Sequence, residues 1–497
     1  MELARFNPFL PAEAGQELAE EGIRLTDTVL SLSRDHVEGR VLILGMTTGS
    51  EYTKMRPLNY PVNPGATVVL PPSAVVQAVL SGDEDVPRLR LGTLIGRPDI
   101  PVEVKANQIV ARHMAILAMT GGGKTVASRR VIRELLERGY PLLILDPHGD
   151  YLGLHSKREK FKDRTIKLYY PNLSVNEKNR DRVGYLVGQM TQGFTDPQRD
   201  VYQDASEKIS FKEGEEISIP KFIDLVAQKL DGGEKKGPSV NVVKRQLRLV
   251  RAYVEAMERS NEMLRSRESL KEFPFEPMPD PDSNPAAFIR PGQATILYLG
   301  GYDHLTQSTI VAVVLRALFE HRASMSRKIA PFLAIVEEAH NFIPSHSEGQ
   351  SDTPSVEVIR KIITEGRKFG AALLLVSQRP SRLDETTLSQ CNTFLIFRLV
   401  NPRDQAFVEK VMENLSKDDS RLLPGFGPGQ GIISGQAVRF PLLVQVKHDE
   451  DLETSVIGDE DFLSAAEDWA AGSEAAAARK TDTMLAALQD AQGKPKG

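Results

Sequence analysis

Residues 113–125 read HMAILAMTGGGKT, an apolar run ending in three glycines, a lysine and a threonine. This is the composition of a buried strand that turns through a flexible loop into a helix. Gly121, Gly122 and Gly123 leave backbone N–H groups free to wrap an anion, and a helix starting there adds its positive end. Lys124 is placed to reach β- and γ-phosphates, and the Thr125 hydroxyl to bind Mg2+. Thr120 and Val126, on either side, join them as nucleotide-contacting positions. The ligand that suits this arrangement is a nucleoside triphosphate. One position departs from the phosphate-loop pattern, since Ala118 stands where its first glycine is expected. The plainer alternative is a glycine-rich strand–helix turn with a surface lysine.

Other chemistry-bearing residues follow apolar runs further along. FLAIVEEAHNFIP ends a strand in Glu337 and Glu338. Beside a phosphate loop, the first acid would serve the Mg2+ shell and the second would polarise an attacking water. AALLLVSQRP puts Gln378 at the end of another strand, where an amide can orient water without adding charge. LDPHGDY sets Asp146 and Asp150 around His148. The histidine reads either as a metal ligand or base, or as a loop residue bonding locally. In a parallel sheet the carboxyl ends of the strands face one crevice, so Asp146, Glu337, Glu338 and Gln378 are expected to converge near Lys124. Arg112 precedes the phosphate-loop strand and Arg367 closes the helix before the Gln378 strand. Either could reach the γ-phosphate of an adjacent subunit, and Arg367 reads equally as a cation complementing a helix C-terminus.

The elements that must position these groups alternate. A helix over 125–138 ending at Gly139, then the strand PLLILD, make a βαβ unit, which requires a parallel sheet. Strand and helix alternation resumes at ATILYLG, with a helix over 304–323, and ends in a hairpin of GQGIIS and AVRFPLLVQV. Between them, residues 172–290 turn helical, with a long helix over roughly 240–270. Five segments follow: 1–100 a small β-barrel, 101–171 the first part of an α/β core, 172–290 a helical insertion, 291–447 the second part of the core, and 448–497 an acidic extension. In the first segment TDTVLSLS, GRVLILGM, ATVVLP and RLRLGTLIG read as short strands and PPSAVVQAVLSG as a helix.

The chain has 497 residues, enough for about two to four domains. At 41% hydrophobic residues it can bury a large core. No apolar run is long enough to cross a membrane, no signal-like segment opens the chain, and Cys391 is the single cysteine. A cytoplasmic enzyme without disulfides is the expectation. A net charge of −5 makes no global case for nucleic-acid binding, so basic groups for it must be local. Residues 235–271 hold ten Lys or Arg and four Glu, with Lys244, Arg248 and Arg251 at helical spacing. They read as contacts to a phosphate backbone or as a solvated basic face. Residues 448–478 hold ten acids and no Lys or Arg, and read as a solvated appendage or as a docking arm.

TGGGKT, DPHGDY, IVEEAHNFIP and EGRKFGAALLLVSQRPS, in that order, resemble the HerA family of hexameric DNA translocases, relatives of the FtsK pumps. The resemblance covers most of the chain. It implies a RecA-like P-loop NTPase core with a parallel-rich sheet, behind a small N-terminal barrel. It implies a homo-hexamer with ATP between subunits, double-stranded DNA in the pore, and a NurA-type nuclease partner in DNA end resection. By position, Lys124 and Thr125 would bind nucleotide and Mg2+, Glu338 would be the catalytic acid and Gln378 the polar sensor. Glu337 occupies the usual Asp place, and Arg112 and Arg367 match arginines acting across subunits. Ala118, and Gly122 where Ser is common, depart from the family pattern. An ATP-stabilised platform for a nuclease and a protein-remodelling ring are the rival readings.

Overall fold

The computed structural model describes residues 85–449, apart from 192, 234–236, 267–269, 346–352, 413–414 and 416. It also describes residue 452 and, before 85, residues 2–6, 36–40 and parts of 43–82. The chain divides into two compact units, Met1–Glu84 and Asp85–Gly497.

In the first unit, Glu2–Phe6 pairs antiparallel with His36–Arg40, and Met46–Thr47 with Met55–Arg56. A helix runs over Ser73–Ser81 behind Pro72, where the sequence predicts one. TDTVLSLS and part of GRVLILGM lie outside the described residues, and the barrel reading with them, whereas ATVVLP, read from sequence as a strand, is described except for Val68 and forms none.

The second unit is built on one 12-stranded sheet. Its strands are β1 (Arg88–Leu94), β2 (Arg97–Lys105), β3 (Met114–Leu117), β4 (Leu142–Asp146), β5 (Thr165–Tyr170) and β6 (Glu276–Pro277), followed by β7 (Gln293–Tyr298), β8 (Phe332–Val336), β9 (Ala371–Ser377), β10 (Thr393–Ile396), β11 (Gln430–Gly435) and β12 (Leu442–Val446). Their order across the sheet is β6-β5-β7-β4-β8-β9-β3-β10-β11-β12-β1-β2. From β6 to β10 every pairing is parallel, and from β10 to β2 every pairing is antiparallel. β3, β4, β8 and β9 are buried along their whole length. Continuous apolar runs of this kind belong to parallel strands covered on both faces.

RLRLGTLIG, read from sequence with the N-terminal strands, forms β1 and joins the central sheet through β12. Its alternating pattern suits any half-covered antiparallel strand, so composition could not say which sheet it enters. The long-range order also departs from the simplest βαβ expectation. β3 and β4 are consecutive in the chain, yet β9 and β8 lie between them.

Period-two alternation divides each central strand between two cores. Ala115, Leu117, Leu143 and Leu145 face one, and Met114, Ile116, Leu142 and Ile144 face the other. The helices bear the matching 3.6-residue pattern. α1 (Lys124–Glu137) covers the second core, burying Val131, Leu135 and Leu136 among others. The first core takes the insertion helices α2 (Arg182–Met190), α3 (Asp196–Glu207), α4 (Ile219–Asp231) and α5 (Pro238–Ser266). It also takes α6 (His304–Ala323) and α7 (Ser355–Phe369). In α5, Val243, Leu247, Val250 and Val254 recur every three or four residues and are buried, each contributing about 1.5–3 kcal/mol. α6 begins where Asp303 Oδ1 accepts from the Thr306 N–H at 3.0 Å. No helix among the described residues is long and apolar enough to cross a membrane.

Candidate nucleotide site

The strand order sets the site. Reading from β4 through β8 and β9 to β3, the carboxyl ends deliver Asp146, then Glu337 and Glu338, then Gln378, then the glycine loop. The crevice at these ends is where an open α/β sheet binds ligands.

The loop itself is shaped for an anion. Gly121 (φ 76°) and Gly123 (φ 106°) adopt left-handed backbone, which glycine alone takes without steric cost. Among the described residues, the N–H groups of Gly121, Gly123, Lys124, Thr125 and Val126 have no acceptor. Five donors at the start of α1 are thus free to hold phosphate oxygens. Behind the loop there is no space. A Cβ on Gly123 would meet the Gly429 backbone at 2.9 Å, and the Gly429 N–H donates to Gly122 O at 3.3 Å.

The two positions that depart from the family pattern, Ala118 and Gly122, are close in space. Ala118 has an ordinary φ and does not need glycine there. A side chain at Gly122 would press on Ala118 Cβ at 3.2 Å and on Met119 O at 3.0 Å.

Lys124 is buried, with Nζ donating to Glu337 Oε1 at 2.5 Å and Glu338 Oε1 at 3.1 Å. Burial works against its charge, but the two carboxylates more than offset this and hold its pKa above the ordinary lysine value. Burial pushes the Glu337 carboxyl up, against the pull of Lys124 and of the Tyr151 hydroxyl. That hydroxyl donates to Glu337 Oε2 at 2.5 Å and lies 2.7 Å from Ser128 Oγ of α1.

Glu338 sits in left-handed backbone at φ 50°, an uncommon conformation for a non-glycine residue and one concentrated at functional sites. Gln378 Nε2 donates to its Oε1 at 2.8 Å, and Gln378 Oε1 accepts from Thr120 Oγ1 at 2.6 Å. Its Oε2 is buried without a hydrogen bond. His340 Nδ1 lies 3.2 Å from that oxygen, outside hydrogen-bonding alignment, and burial lowers the His340 pKa. A carboxylate oxygen with vacant lone pairs at this place can accept a water proton.

The residues fit a divalent cation beside a triphosphate. Two buried carboxylates face one ammonium, leaving net negative charge, and the Thr125 hydroxyl has no hydrogen-bond partner among the described residues. No group of three or more His, Cys, Asp or Glu among the described residues could hold a metal. Mg2+ takes one or two protein ligands and completes its shell with phosphate and water.

Asp146, expected near Lys124, spends its carboxylate on its own loop, and among the described residues no hydrogen bond joins it to Lys124. It is fully buried, and its carboxylate collects four backbone N–H groups of the following loop. Oδ1 accepts from His148 at 3.2 Å, Gly149 at 2.7 Å and Asp150 at 3.1 Å, and Oδ2 from Tyr151 at 3.0 Å. Burial raises its pKa to about 7, Asp150 adds to the rise, and the loop amides oppose it. His148 enters this local bonding through its backbone.

Arg112 and Arg367 lie away from the loop of their own chain. Arg112 precedes β3 and Arg367 precedes β9, which are paired neighbours, so both stand at the amino ends of those strands. Arg112 donates to the Gln436 side chain, while Arg367 is exposed at the end of α7.

The basic helix is neutralised only in part. Lys244 pairs with Asp231, and Arg251 with Asp224 and with Glu255 at 2.8 Å, leaving Arg248 free among the three. The partner acids Asp224 and Asp231 belong to α4.

Known proteins are similar to this chain over much of its length. The family model "Helicase HerA, central domain" matches residues 89–318. The "DNA double-strand break repair helicase HerA" of Pyrococcus furiosus is 29% identical over 86% of this chain and 81% of its own length. The "Probable helicase MJ1565" of Methanocaldococcus jannaschii is 30% identical over 76% of this chain and 71% of its own. The HerA of Saccharolobus solfataricus is 27% identical over 86% and 89% respectively. Among solved structures, VirB4 of Thermoanaerobacter pseudethanolicus covers 75% of this chain and 99% of its own at 13% identity and a TM-score of 0.47, a likeness too loose to bear on function.

Proposed function

The chain belongs to the HerA family of helicases, and on that premise we propose that it spends ATP to drive double-stranded DNA through a ring of six subunits. As a member of this family it is a nucleotide-binding P-loop ATPase of the helicase and translocase class. The finer reading adds Mg2+, a NurA-type nuclease docked on the ring, and DNA end resection as the shared task.

The observation that carries the reading is the cluster of Lys124, Glu337, Glu338 and Gln378 beside unpaired loop amides. A site that only bound nucleotide would need the amides and Lys124. It would not need a strained glutamate with a vacant oxygen, held at its other oxygen by an amide that also contacts Thr120.

In the reaction, the amides of 121–126 take phosphate oxygens, and Lys124 leaves the two glutamates for the β- and γ-phosphates. Glu338 Oε2 accepts a proton from the attacking water, while Gln378 fixes the other oxygen. Thr125 and Glu337 are the residues that would hold Mg2+, which when bound neutralises phosphate charge. Arg112 and Arg367 reach no phosphate in their own subunit, and their place at the amino ends of β3 and β9 supports a role at a neighbour's site. Hydrolysis then depends on how subunits sit against each other, which is what couples it to movement along DNA.

Glu338→Gln tests the motor reading. It should abolish hydrolysis while keeping nucleotide bound, and should abolish resection with the nuclease. Resection that survives without hydrolysis would replace the motor by a platform. ATPase activity that no form of DNA stimulates would favour protein remodelling.

A further inference from the structure

We infer that Tyr151 is a positioning residue of the nucleotide site, the group that keeps Glu337 aimed once Lys124 has moved to the phosphates. This rests on the nucleotide reading of the site and names a residue that reading does not use.

In the structure Glu337 is held at both oxygens, by Lys124 at Oε1 and by Tyr151 at Oε2, each at 2.5 Å. When a triphosphate arrives, Lys124 is drawn to it and Oε1 is released. Oε2 keeps its bond, because the phenol cannot follow. Tyr151 is fully buried, its ring packs in the core shared with α1, and Ser128 Oγ sits 2.7 Å from its hydroxyl. Its backbone is fixed as well, since the Tyr151 N–H is one of the four gathered by Asp146.

The chain of support is therefore continuous. Asp146 at the end of β4 shapes the loop 148–151, the loop presents Tyr151, and Tyr151 orients Glu337 at the end of β8. The freed Oε1 faces the place where Lys124 and Thr125 meet a nucleotide. A partner that holds the far oxygen of a metal-binding carboxylate sets its direction, and losing such a partner typically costs about 10–100-fold in metal affinity.

The test measures binding of a fluorescent non-hydrolysable ATP analogue, in MgCl2 and in EDTA, with wild type and Tyr151→Phe. Phenylalanine keeps the ring and removes only the hydroxyl. Wild type should bind more tightly in MgCl2. Tyr151→Phe should lose about tenfold in MgCl2 and less than about twofold in EDTA. Equal loss in both buffers would make Tyr151 a packing residue and overturn the inference, as would no loss in either. Failure of wild type itself to respond to Mg2+ would instead overturn the reading of the site. Should Tyr151→Phe not fold, Ser128→Ala carries the test, with the same Mg2+-specific loss at smaller size expected and a loss independent of Mg2+ counting against.

Discussion

Asp449, three residues past the last strand, is bound by Arg130 of α1, whose NH1 lies 3.2 Å from each of its carboxylate oxygens. Arg133 NH1 adds a contact at 3.3 Å. Arg130 also donates to Arg90 O at 2.8 Å and to Glu134 Oε1 at 2.5 Å. Both Arg130 and Asp449 are buried. One guanidinium thus joins the phosphate-loop helix, the β1 strand and the chain's exit from the sheet.

Breaking that pair strands a buried arginine. Asp449→Ala should destabilise the second unit by about 3 kcal/mol, read as a lower urea midpoint. An unchanged midpoint would mean that Glu134 alone satisfies Arg130.

Lys124→Ala should do more than silence the enzyme. It removes the one cation between two buried carboxylates, so nucleotide binding should fall at least about a hundredfold and the nucleotide-free protein should lose about 3 kcal/mol. A variant that is inactive yet as stable as wild type would show that Glu337 and Glu338 find protons or other partners without cost.

Gln378 joins Thr120 to Glu338 and adds no charge, so its loss should act on the chemical step. Gln378→Ala should lower kcat about a hundredfold with KM little changed. A rise in KM at constant kcat would reassign the amide to ground-state binding.

The arginine roles are open to complementation. Lys124→Ala and Arg367→Ala should each be inactive alone. Mixed before assembly, they should recover hydrolysis, because an intact loop of one subunit can meet an intact arginine of the next. No recovery, with mixed assembly verified by mass, would place Arg367 outside its neighbour's site. The same experiment with Arg112→Ala decides for that residue separately.

His113 gives a pH dependence. It is buried in left-handed backbone at φ 58°, and its Nδ1 accepts from the Leu373 N–H at 3.0 Å. Burial lowers its pKa from 6.5 to about 4. The unfolded chain takes up a proton below 6.5 while the folded chain does not until about 4, so the contribution is whole above 6.5 and lost as pH falls through that window. The loss reaches about 3 kcal/mol. His113→Asn tolerates the backbone and offers Leu373 an acceptor, so its stability should fall less steeply between those pH values. Parallel curves for the two proteins would assign the slope to other groups.

What could be read from sequence was whatever one segment carries alone. The helix 304–323 is observed at its expected bounds, because Asp303 caps it and an apolar run fills it. The strands flanking the glycine loop and the terminal hairpin β11–β12 hold as well. Whatever depends on two distant segments was not legible. The four partners of Asp146 are backbone groups, which leave no mark on residue identity. Tyr151 stood in a motif already noted, but its partner is 186 positions away. The basic helix read as a phosphate-backbone contact or a solvated face, and its pairing with Asp224 and Asp231 was not legible because those acids belong to another helix.

The contact of Gly123 with Gly429 has a mechanical corollary. The glycine loop leans on the turn before β11, and Val446 at the end of β12 donates to Gly429 O at 2.9 Å. From Val446 the chain runs three residues to Asp449, and Asp449 is fastened to α1, which begins at Lys124. The path closes on itself like a short belt with no slack. The glycine loop is thus tied, through Gly429, Val446 and Asp449, to the point where the chain leaves the sheet.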